Sequence, residues 1–207
     1  SYPLATSTVA ATGLGYREQK GAYDFDPDRS KQLLDAAGWT LGEDGIREKA
    51  GKRLELTANL AGPQPRSKEV ITMAQQDLAE IGIKLHLNPG DNSTQDADSK
   101  DMNKIQIRHS MVGRADLEAI KSLYSVDNRD SFINKDSDGK IYDTKLEDML
   151  NKVASTPDED KRADLVGDVQ DYITKQAYAL PLFEEPLVYA VQPWLKGFQL
   201  ESIARPS

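Results

Sequence analysis

A strand–helix–strand pattern between residues 54 and 87 constrains the fold more than any other part of the chain. It opens with a period-two alternation typical of a half-buried strand, at Leu54, Leu56, Ala58 and Leu60. After a break at residues 62–65, apolar residues recur at helical spacing, at Val70, Ala74, Leu78 and Ile81. Ser67 is the candidate cap of this helix, and Gly82 ends it. A second alternation follows at Ile83, Leu85 and Leu87. Because a helix connects the two strands, they are expected to pair in parallel with a right-handed crossover.

The C-terminal half predicts further elements of an α/β fold, in which helices pack on the faces of a mixed sheet. A third strand is expected at Ile105, Ile107 and His109, and a short helix at Leu117, Ile120 and Tyr124. Two longer helices follow, and each begins at a predicted capping box, Thr144 with Glu147 and Thr156 with Glu159. Pro157 suits the first position of the second helix. The inward residues of the two helices are Leu146, Met149, Leu150, Val153, Val166, Val169, Ile173 and Ala177. Residues 187–191 predict a last strand.

The N-terminal part predicts a lead-in, a capped helix and a hairpin. Residues 1–24 show little periodicity, residues 25–200 form the predicted single lobe, and residues 201–207 form a tail. Asp26 is the expected cap of a helix with Pro27 at its first position and Gly38 just past its end. Its apolar face comprises Leu33, Leu34 and Ala37. A hairpin should follow, with its turn at Ala50 and Gly51.

Composition excludes several classes of function. The 26 basic and 34 acidic residues give a net charge of −8, which disfavours nucleic-acid binding and anionic-membrane binding. The chain has no cysteine, so disulfides, thiol nucleophiles and thiolate metal sites are absent. No apolar run approaches the roughly 20 residues of a membrane span. The chain starts at Ser1 with no signal peptide, so we expect a processed form or a piece of a longer protein.

The sequence offers no clear catalytic or metal site. His86 and His109 each lie on a predicted strand, away from any nucleophile motif, and neighbouring strand residues point to opposite faces. Residues 134–141 resemble the first eight positions of a calcium loop, but Lys145 stands where a bidentate glutamate belongs. We interpret that run as a polar turn and expect no metal and no cofactor.

Three segments in order resemble one protein family. The first is Phe25-Asp26-Pro27 with Leu33-Leu34 and Ala36-Ala37-Gly38-Trp39, followed by Gly45-Ile46-Arg47-Glu48-Lys49. The second runs from Ala74 to Leu85 through Glu80-Ile81-Gly82-Ile83. The third is Leu180-Pro181-Leu182-Phe183, then Val188-Tyr189, then Lys196-Gly197-Phe198. Together they resemble the extracellular solute-binding proteins, family 5, of peptide- and nickel-type ABC importers.

This resemblance implies a function without covalent chemistry. The matched segments belong to the C-terminal lobe of a two-lobed, type II periplasmic binding protein. The lobe would help to capture a small solute, such as a peptide, and deliver it to permease subunits from the periplasm or as a cell-surface lipoprotein. The N-terminal lobe would be missing from this chain, and the fragment would be monomeric and not an enzyme. The alternatives are a hydrolase-like α/β domain and a stand-alone ligand-sensing or interaction module.

The candidate ligand site is the loop after the third strand. Ligands of open α/β sheets meet loops at strand ends. In the family this region carries a tryptophan and an Asp-Pro pair and faces the cleft, whereas this chain has Met111, Arg114 and Asp116 there. Only Asp116 matches the family pattern. Arg114 could pair with a ligand carboxylate through two parallel hydrogen bonds.

Overall fold

A computed structural model describes residues 2–60, 66–99, 101–111, 113, 116–126, 140–186 and 188–199. The chain divides into two compact units. Unit 1 combines Ser1–Tyr23 with Val112–Ser207, and unit 2 is the continuous segment Asp24–Met111. The sequence-based boundaries at residues 24 and 200 stay a prediction.

Unit 2 begins with the capped helix and hairpin that the sequence predicts. Helix α1 (Pro27–Ala36) is capped by Asp26, whose Oδ1 accepts a hydrogen bond from the Arg29 N–H at 2.8 Å. Strands β1 (Thr40–Leu41), β2 (Arg47–Lys49) and β3 (Lys52–Arg53) form an antiparallel sheet in that order. Lys49 pairs with Lys52 across a two-residue turn. Pairing of β1 with β2 adds a strand that the sequence analysis did not predict.

The parallel sheet of unit 2 confirms the strand–helix–strand prediction. Strands β4 (Glu55–Asn59) and β5 (Lys84–Asn88) pair in parallel, and helix α2 (Ser67–Glu80) connects them. Helix α3 (Asn92–Asp98) follows, and then the short strand β6 (Ile107–Arg108) pairs with β4 on its other side. Parallel and antiparallel strands therefore occupy two separate three-stranded sheets. The small core of this unit is built on Ala58, Ile71 and Leu85.

Unit 1 is helical. Helix α4 (Ala119–Tyr124), helix α5 (Thr144–Ser155) and helix α6 (Glu159–Lys175) surround one apolar core. The buried members of that core are Val9, Leu117, Ile120, Tyr124, Leu146, Leu150, Val153, Val166, Val169 and Ile173. Six of these ten were predicted as inward residues, and Leu117, Ile120 and Tyr124 were predicted at the spacing of one helix, because helical spacing marks a buried face whatever the helix packs against. Val9 belongs to the irregular lead-in, which is therefore part of the core.

Three helix starts differ from the predicted ones. Asp143 caps α5 and Asp158 caps α6, each through its carboxylate, so neither predicted capping box forms and Pro157 precedes the helix. Asp143 lies one residue from Thr144 and Asp158 two residues from Thr156, and each carboxylate outcompetes the threonine for the free amides because it is a stronger acceptor. Ser67 is the first residue of α2 rather than its cap, and the cap position is Arg66 in the left-handed conformation.

Other predicted features also differ. The face of α1 that we expected to be buried contains no buried residue. Ala177 is exposed just beyond the end of α6 and has a positive φ of 54°, so it turns the chain rather than filling the core. The described residues 188–191 form no strand. Residues 134–139 of the calcium-like run lie outside the described residues.

Candidate functional site

Of the three residues predicted from the sequence, the structure describes Met111 and Asp116. Met111 is exposed and is the last residue of unit 2, whereas Asp116 is half-buried and belongs to unit 1. The Asp116 Oδ1 accepts a hydrogen bond from the Glu118 N–H at 3.0 Å, and its carbonyl accepts one from the Ala119 N–H. Asp116 thus helps to begin α4. Arg114 lies outside the described residues, so this site stays a prediction.

The carboxyl edge of the parallel sheet carries a row of polar side chains. Strand β4 ends at Asn59 and β5 ends at Asn88, and these two residues are in register. On the other side of β4, Asn59 is in register with Arg108 of β6. Because the strands are parallel, all three residues lie at the same edge, where open α/β sheets bind their ligands. This row is a candidate binding edge within unit 2.

Asn59 joins this edge to helix α3. Its Nδ2 donates hydrogen bonds to the Gln95 carbonyl at 2.9 Å and to the Ser99 Oγ at 2.7 Å. Its Oδ1 accepts one from the Asn88 Nδ2 at 2.9 Å. Asn59 is only 1% exposed, so water cannot reach its amide. These partners make the hydrogen bonds that water would make to an exposed amide. The Ser99 Oγ in turn donates to the Gln95 carbonyl.

Gln95 is the least satisfied member of this group. Its Nε2 donates to the Gly90 carbonyl at 3.0 Å, but its buried Oε1 has no partner among the residues that the structure describes. Asp91 caps α3, and the hydrogen bond from the Thr94 N–H lowers the pKa of that carboxyl. The amides of this edge lie beside Arg108 and the Asp98 carboxylate, whose Oδ2 lies 3.5 Å from the Asn88 Nδ2. Such a set can recognise polar groups through hydrogen bonds.

The two histidines have different surroundings. His86 is exposed, and its Nε2 lies 2.7 Å from the Glu55 Oε2. His109 directly follows β6 and is half-buried, and burial lowers its pKa, which favours the neutral imidazole. Its Nδ1 is buried without a partner in the described part of the chain. Among the described residues no three His, Asp or Glu side chains converge to hold a metal.

Sequence reasoning did not find Asn59 or Gln95. The alternation from Leu54 to Leu60 assigns Asn59 to the solvent face, whereas in the structure helix α3 covers it. The one signal in the sequence was position, because Asn59 is the second-last residue of one predicted strand and Asn88 directly follows the next. Polar residues at the carboxyl ends of parallel strands are where ligand contacts are expected.

The family model for bacterial extracellular solute-binding proteins, family 5 Middle, matches residues 2–129. The chain belongs to this family. The resemblance noted from three segments is therefore confirmed. The oligopeptide-binding protein OppA of Mycobacterium bovis is 27% identical over 204 residues, which cover 98% of this chain and 33% of OppA. The nickel-binding periplasmic protein of Escherichia coli is 28% identical over 97% of this chain and 38% of its own length. This chain thus spans about a third of the length of these curated relatives.

Solved structures support the fold. NikA from Brucella suis, crystallised with Fe(III)-EDTA, superimposes with a TM-score of 0.71 at 25% identity, over 88% of this chain and 36% of NikA. The oligopeptide-binding protein from Thermus thermophilus, crystallised with a pentapeptide, gives a TM-score of 0.66 at 20% identity, over 88% of this chain and 33% of that one. The α/β class and the likeness to type II periplasmic binding proteins are confirmed. These relatives are binding proteins rather than enzymes. No helix within the described residues is long and apolar enough to cross a membrane.

Proposed function

We propose that this chain is the C-terminal lobe of an extracytoplasmic substrate-binding protein that captures a short peptide for an ABC importer. The observation that carries the proposal is the family match over residues 2–129, together with relatives named as oligopeptide-binding proteins. At the carboxyl edge of the parallel sheet, Asn88 and Arg108 are only half-buried, so they remain accessible for hydrogen bonds to a solute, which supports a binding role. The hydrolase alternative is not favoured, and we propose that the protein is not an enzyme.

Capture would proceed by closure of two lobes around the solute. A ligand stabilises the closed state only through contacts that the open state lacks. We assign such contacts to the loop after β6, where the Arg114 guanidinium would bind a peptide carboxylate and the Asp116 carboxylate would accept hydrogen bonds from an amine or amide. Met111, exposed at the end of unit 2, would supply apolar contact area. A permease would then distinguish the closed form from the open form by shape.

The partners and the location follow from the same proposal. The protein would act in the periplasm or as a lipoprotein on the cell surface, where its partners are the peptide, the permease subunits and an N-terminal lobe. The 207-residue chain by itself would be a monomer. It would bind peptide weakly, because much of the contact surface would come from the other lobe.

Calorimetry on the full-length protein tests the proposal. The titrants are peptides of two to five residues, glutathione and a nickel–histidine complex. We expect saturable binding of a peptide, weakened at least tenfold, or about 1.4 kcal/mol, by Arg114→Ala. Arg29→Ala is the matched control, since Arg29 is exposed on α1. If the nickel complex binds and neither glutathione nor any other peptide does, the proposed ligand class is wrong. If no solute binds, the proposed function is wrong.

A further inference from the structure

Within the described part of the chain, the 14-residue helix α2 begins without a side-chain cap. The N–H groups of Ser67, Lys68 and Glu69 donate to no acceptor among the residues that the structure describes. We call these three groups the free amides of α2. Unpaired amides and the helix dipole together make a helix N-terminus electropositive, so it attracts an anion.

Four other helices in the described chain begin with a carboxylate. The caps of α1, α3, α5 and α6 each accept an N–H of the first turn at 2.8–3.0 Å, and they are Asp26, Asp91, Asp143 and Asp158. The cap position of α2 is instead occupied by Arg66, whose guanidinium has no acceptor to offer. The chain thus supplies an anion at four helix starts and a cation at the start of α2.

The Ser67 hydroxyl is a second, independent sign of a ligand at this helix start. Ser67 is only 4% exposed, and its buried Oγ has no hydrogen-bond partner among the described residues. Because the Cα–Cβ bonds of a helix tilt towards its N-terminus, this hydroxyl lies towards the same end as the free amides. A buried hydroxyl without a partner is unfavourable. An oxyanion bound at the free amides would accept a hydrogen bond from it.

The start of α2 lies near the carboxyl edge of the parallel sheet. Ile71, about one turn into the helix, packs in the same core as Ala58, which directly precedes Asn59 at the end of β4. The free amides therefore belong to the same unit as the candidate binding edge, which Asn88 and Arg108 complete. Ligands of open α/β sheets bind at this edge, and helix N-termini there bind anionic groups.

We propose that the N-terminus of α2 binds a carboxylate of the captured solute, through the free amides and the Ser67 hydroxyl. This inference rests on the proposed function, which assigns a peptide carboxylate to Arg114 alone. Arg66 and Lys68 are exposed in the same turn, and their two positive charges outnumber the one negative charge of Glu69. A peptide has two sources of a carboxylate, its C-terminus and the side chain of an aspartate or glutamate residue.

NMR titration of the 207-residue chain tests the site without a peptide. The probe is N-acetylalanine, which carries a carboxylate, and its matched control is N-acetylalaninamide, which has a similar shape and no charge. Ionic strength is held constant, because salt screens such contacts. We expect saturable shifts of the free-amide signals with the carboxylate and none with the control. The Leu146 amide already bonds to the Asp143 carboxylate, so its signal should not move.

Ser67→Ala tests the hydroxyl separately. Because this hydroxyl has no partner in the described chain, its removal should not lower the melting temperature. It should weaken binding of N-acetylalanine by about threefold or more. Ser30→Ala is the matched control near the start of α1, which Asp26 caps, and should leave that affinity unchanged. The inference is overturned if the free amides do not shift, if both probes shift them equally, or if Ser67→Ala binds as tightly as the native chain.

Calorimetry on the full-length protein identifies the source of the carboxylate. The titrants are trialanine and Ala-Glu-Ala, each with a free and an amidated C-terminus. An affinity lost on amidation, with a smaller loss in Ser67→Ala, assigns the site to the C-terminus. An affinity gained with the glutamate, and absent in Ser67→Ala, assigns it to a side chain.

The two experiments separate this inference from the proposed function. If peptides bind and Ser67→Ala changes the affinity for none of them, this inference is overturned and the proposed function stands. If no peptide binds but N-acetylalanine shifts the free amides, the carboxylate site stands and only the proposed function is refuted.

Discussion

Arg47 shows how a single side chain can hold a unit with a small core together. Its guanidinium is buried, and its Nη1 donates hydrogen bonds to the Asp35 carboxylate at the end of α1 and to the Trp39 carbonyl. Its Nε donates to the Ile81 carbonyl at the end of α2, at 2.8 Å. A buried charge is tolerated only with partners of this kind. The conspicuous Gly-Ile-Arg-Glu-Lys segment is therefore scaffold.

Gln170 has the corresponding role in unit 1. It is fully buried, and its Oε1 accepts hydrogen bonds from the Ser7 Oγ at 2.6 Å and the Arg17 N–H at 3.2 Å. Its Nε2 donates to the Gly15 carbonyl at 2.6 Å. One side chain of α6 thus satisfies three polar groups of the N-terminal segment, which explains how an irregular lead-in becomes part of the core.

Replacement of Gly15 by alanine should destabilise unit 1. Gly15 has a φ of +75°, and an added Cβ would lie 2.8 Å from the Val166 Cβ and 3.0 Å from the Ala163 carbonyl. The left-handed conformation alone costs about 1–2 kcal/mol for a residue with a Cβ. We expect Gly15→Ala to lower the free energy of unfolding, measured in urea, by more than that amount. Gly51→Ala is the control, because Gly51 has a φ of +74° and open space around it. Equal losses for the two variants would contradict the predicted steric clash.

The Glu55 carboxylate should give unit 2 a pH dependence in acid. Hydrogen bonds from Arg53 and then His86 lower the pKa of Glu55 from 4.5 to about 2. A pKa that is lower in the folded state stabilises the fold above the unfolded pKa, and this contribution is lost as pH falls from about 4.5 towards 2. NMR titration should show the low midpoint in the native chain and a higher one in Arg53→Met. Lys52→Met should leave it unchanged. A Glu55 midpoint near 4.5 in the native chain would refute the assignment.

At the scale of elements, helix α6 organises unit 1 because the N-terminal segment packs along its length. The Arg17 guanidinium bridges Asp168 and Asp171, at 2.9 and 2.6 Å. It lies directly over Gly167, where any side chain would collide with it. The glycine that weakens the helix therefore provides room for this bridge, and the loss of helix propensity is offset by packing. Farther along, the Tyr23 hydroxyl bonds to the Thr174 hydroxyl.

The β2–β3 hairpin offers a stabilising substitution. Its turn residues Ala50 and Gly51 both have positive φ, as type I′ turns require. Alanine is disfavoured in that conformation, whereas asparagine is preferred at the first turn position. Ala50→Asn should raise the free energy of unfolding by about 0.5–1 kcal/mol, measured by chemical denaturation. Ala36→Asn on α1 is the control and should lower stability slightly, because asparagine is a poorer helix former. A loss of stability for Ala50→Asn would contradict the turn assignment.

At the scale of the whole molecule, the division into two units gives two separate cores. Among the residues that the structure describes, the core of unit 1 has ten buried apolar residues, and that of unit 2 has three with a shell of half-buried neighbours. The larger core buries more apolar surface, so its residues should contribute more to stability than those of the smaller one. Unit 2, with its smaller core, is also stabilised by buried polar side chains such as Arg47 and Asn59, whose hydrogen bonds join separate elements.

Substitutions in each core should act on their own unit. Leu150→Ala removes a fully buried side chain of unit 1, and it should cost about 2–5 kcal/mol. Native-state hydrogen exchange should show the faster exchange in α5 and α6. Ile71→Ala is the reciprocal variant and should accelerate exchange in α2, β4 and β5 of unit 2. If either variant accelerated both units equally, the two cores would form one cooperative structure.

The sequence by itself determined the features that depend on local chemistry and periodicity. Helical spacing predicted most of the buried apolar residues of α4, α5 and α6, and alternation predicted β4 and β5, because each pattern follows from the geometry of its own element. Asp26, Pro27 and Gly38 fixed α1 for the same reason. Three motifs in order were also enough to indicate the family.

Only the tertiary structure decided which groups meet across long separations in the chain. Asn59 is buried because α3 covers it, and Val9 is buried because Gln170 and Gly15 dock the lead-in onto α6. Neither fact has a signature in the local sequence, since burial by a distant element leaves no periodicity behind. The same holds for the candidate binding edge, where Asn59, Asn88 and Arg108 align only after three strands have paired in parallel register. Local sequence sets each element, and strand pairing and helix docking decide which side chains face one another.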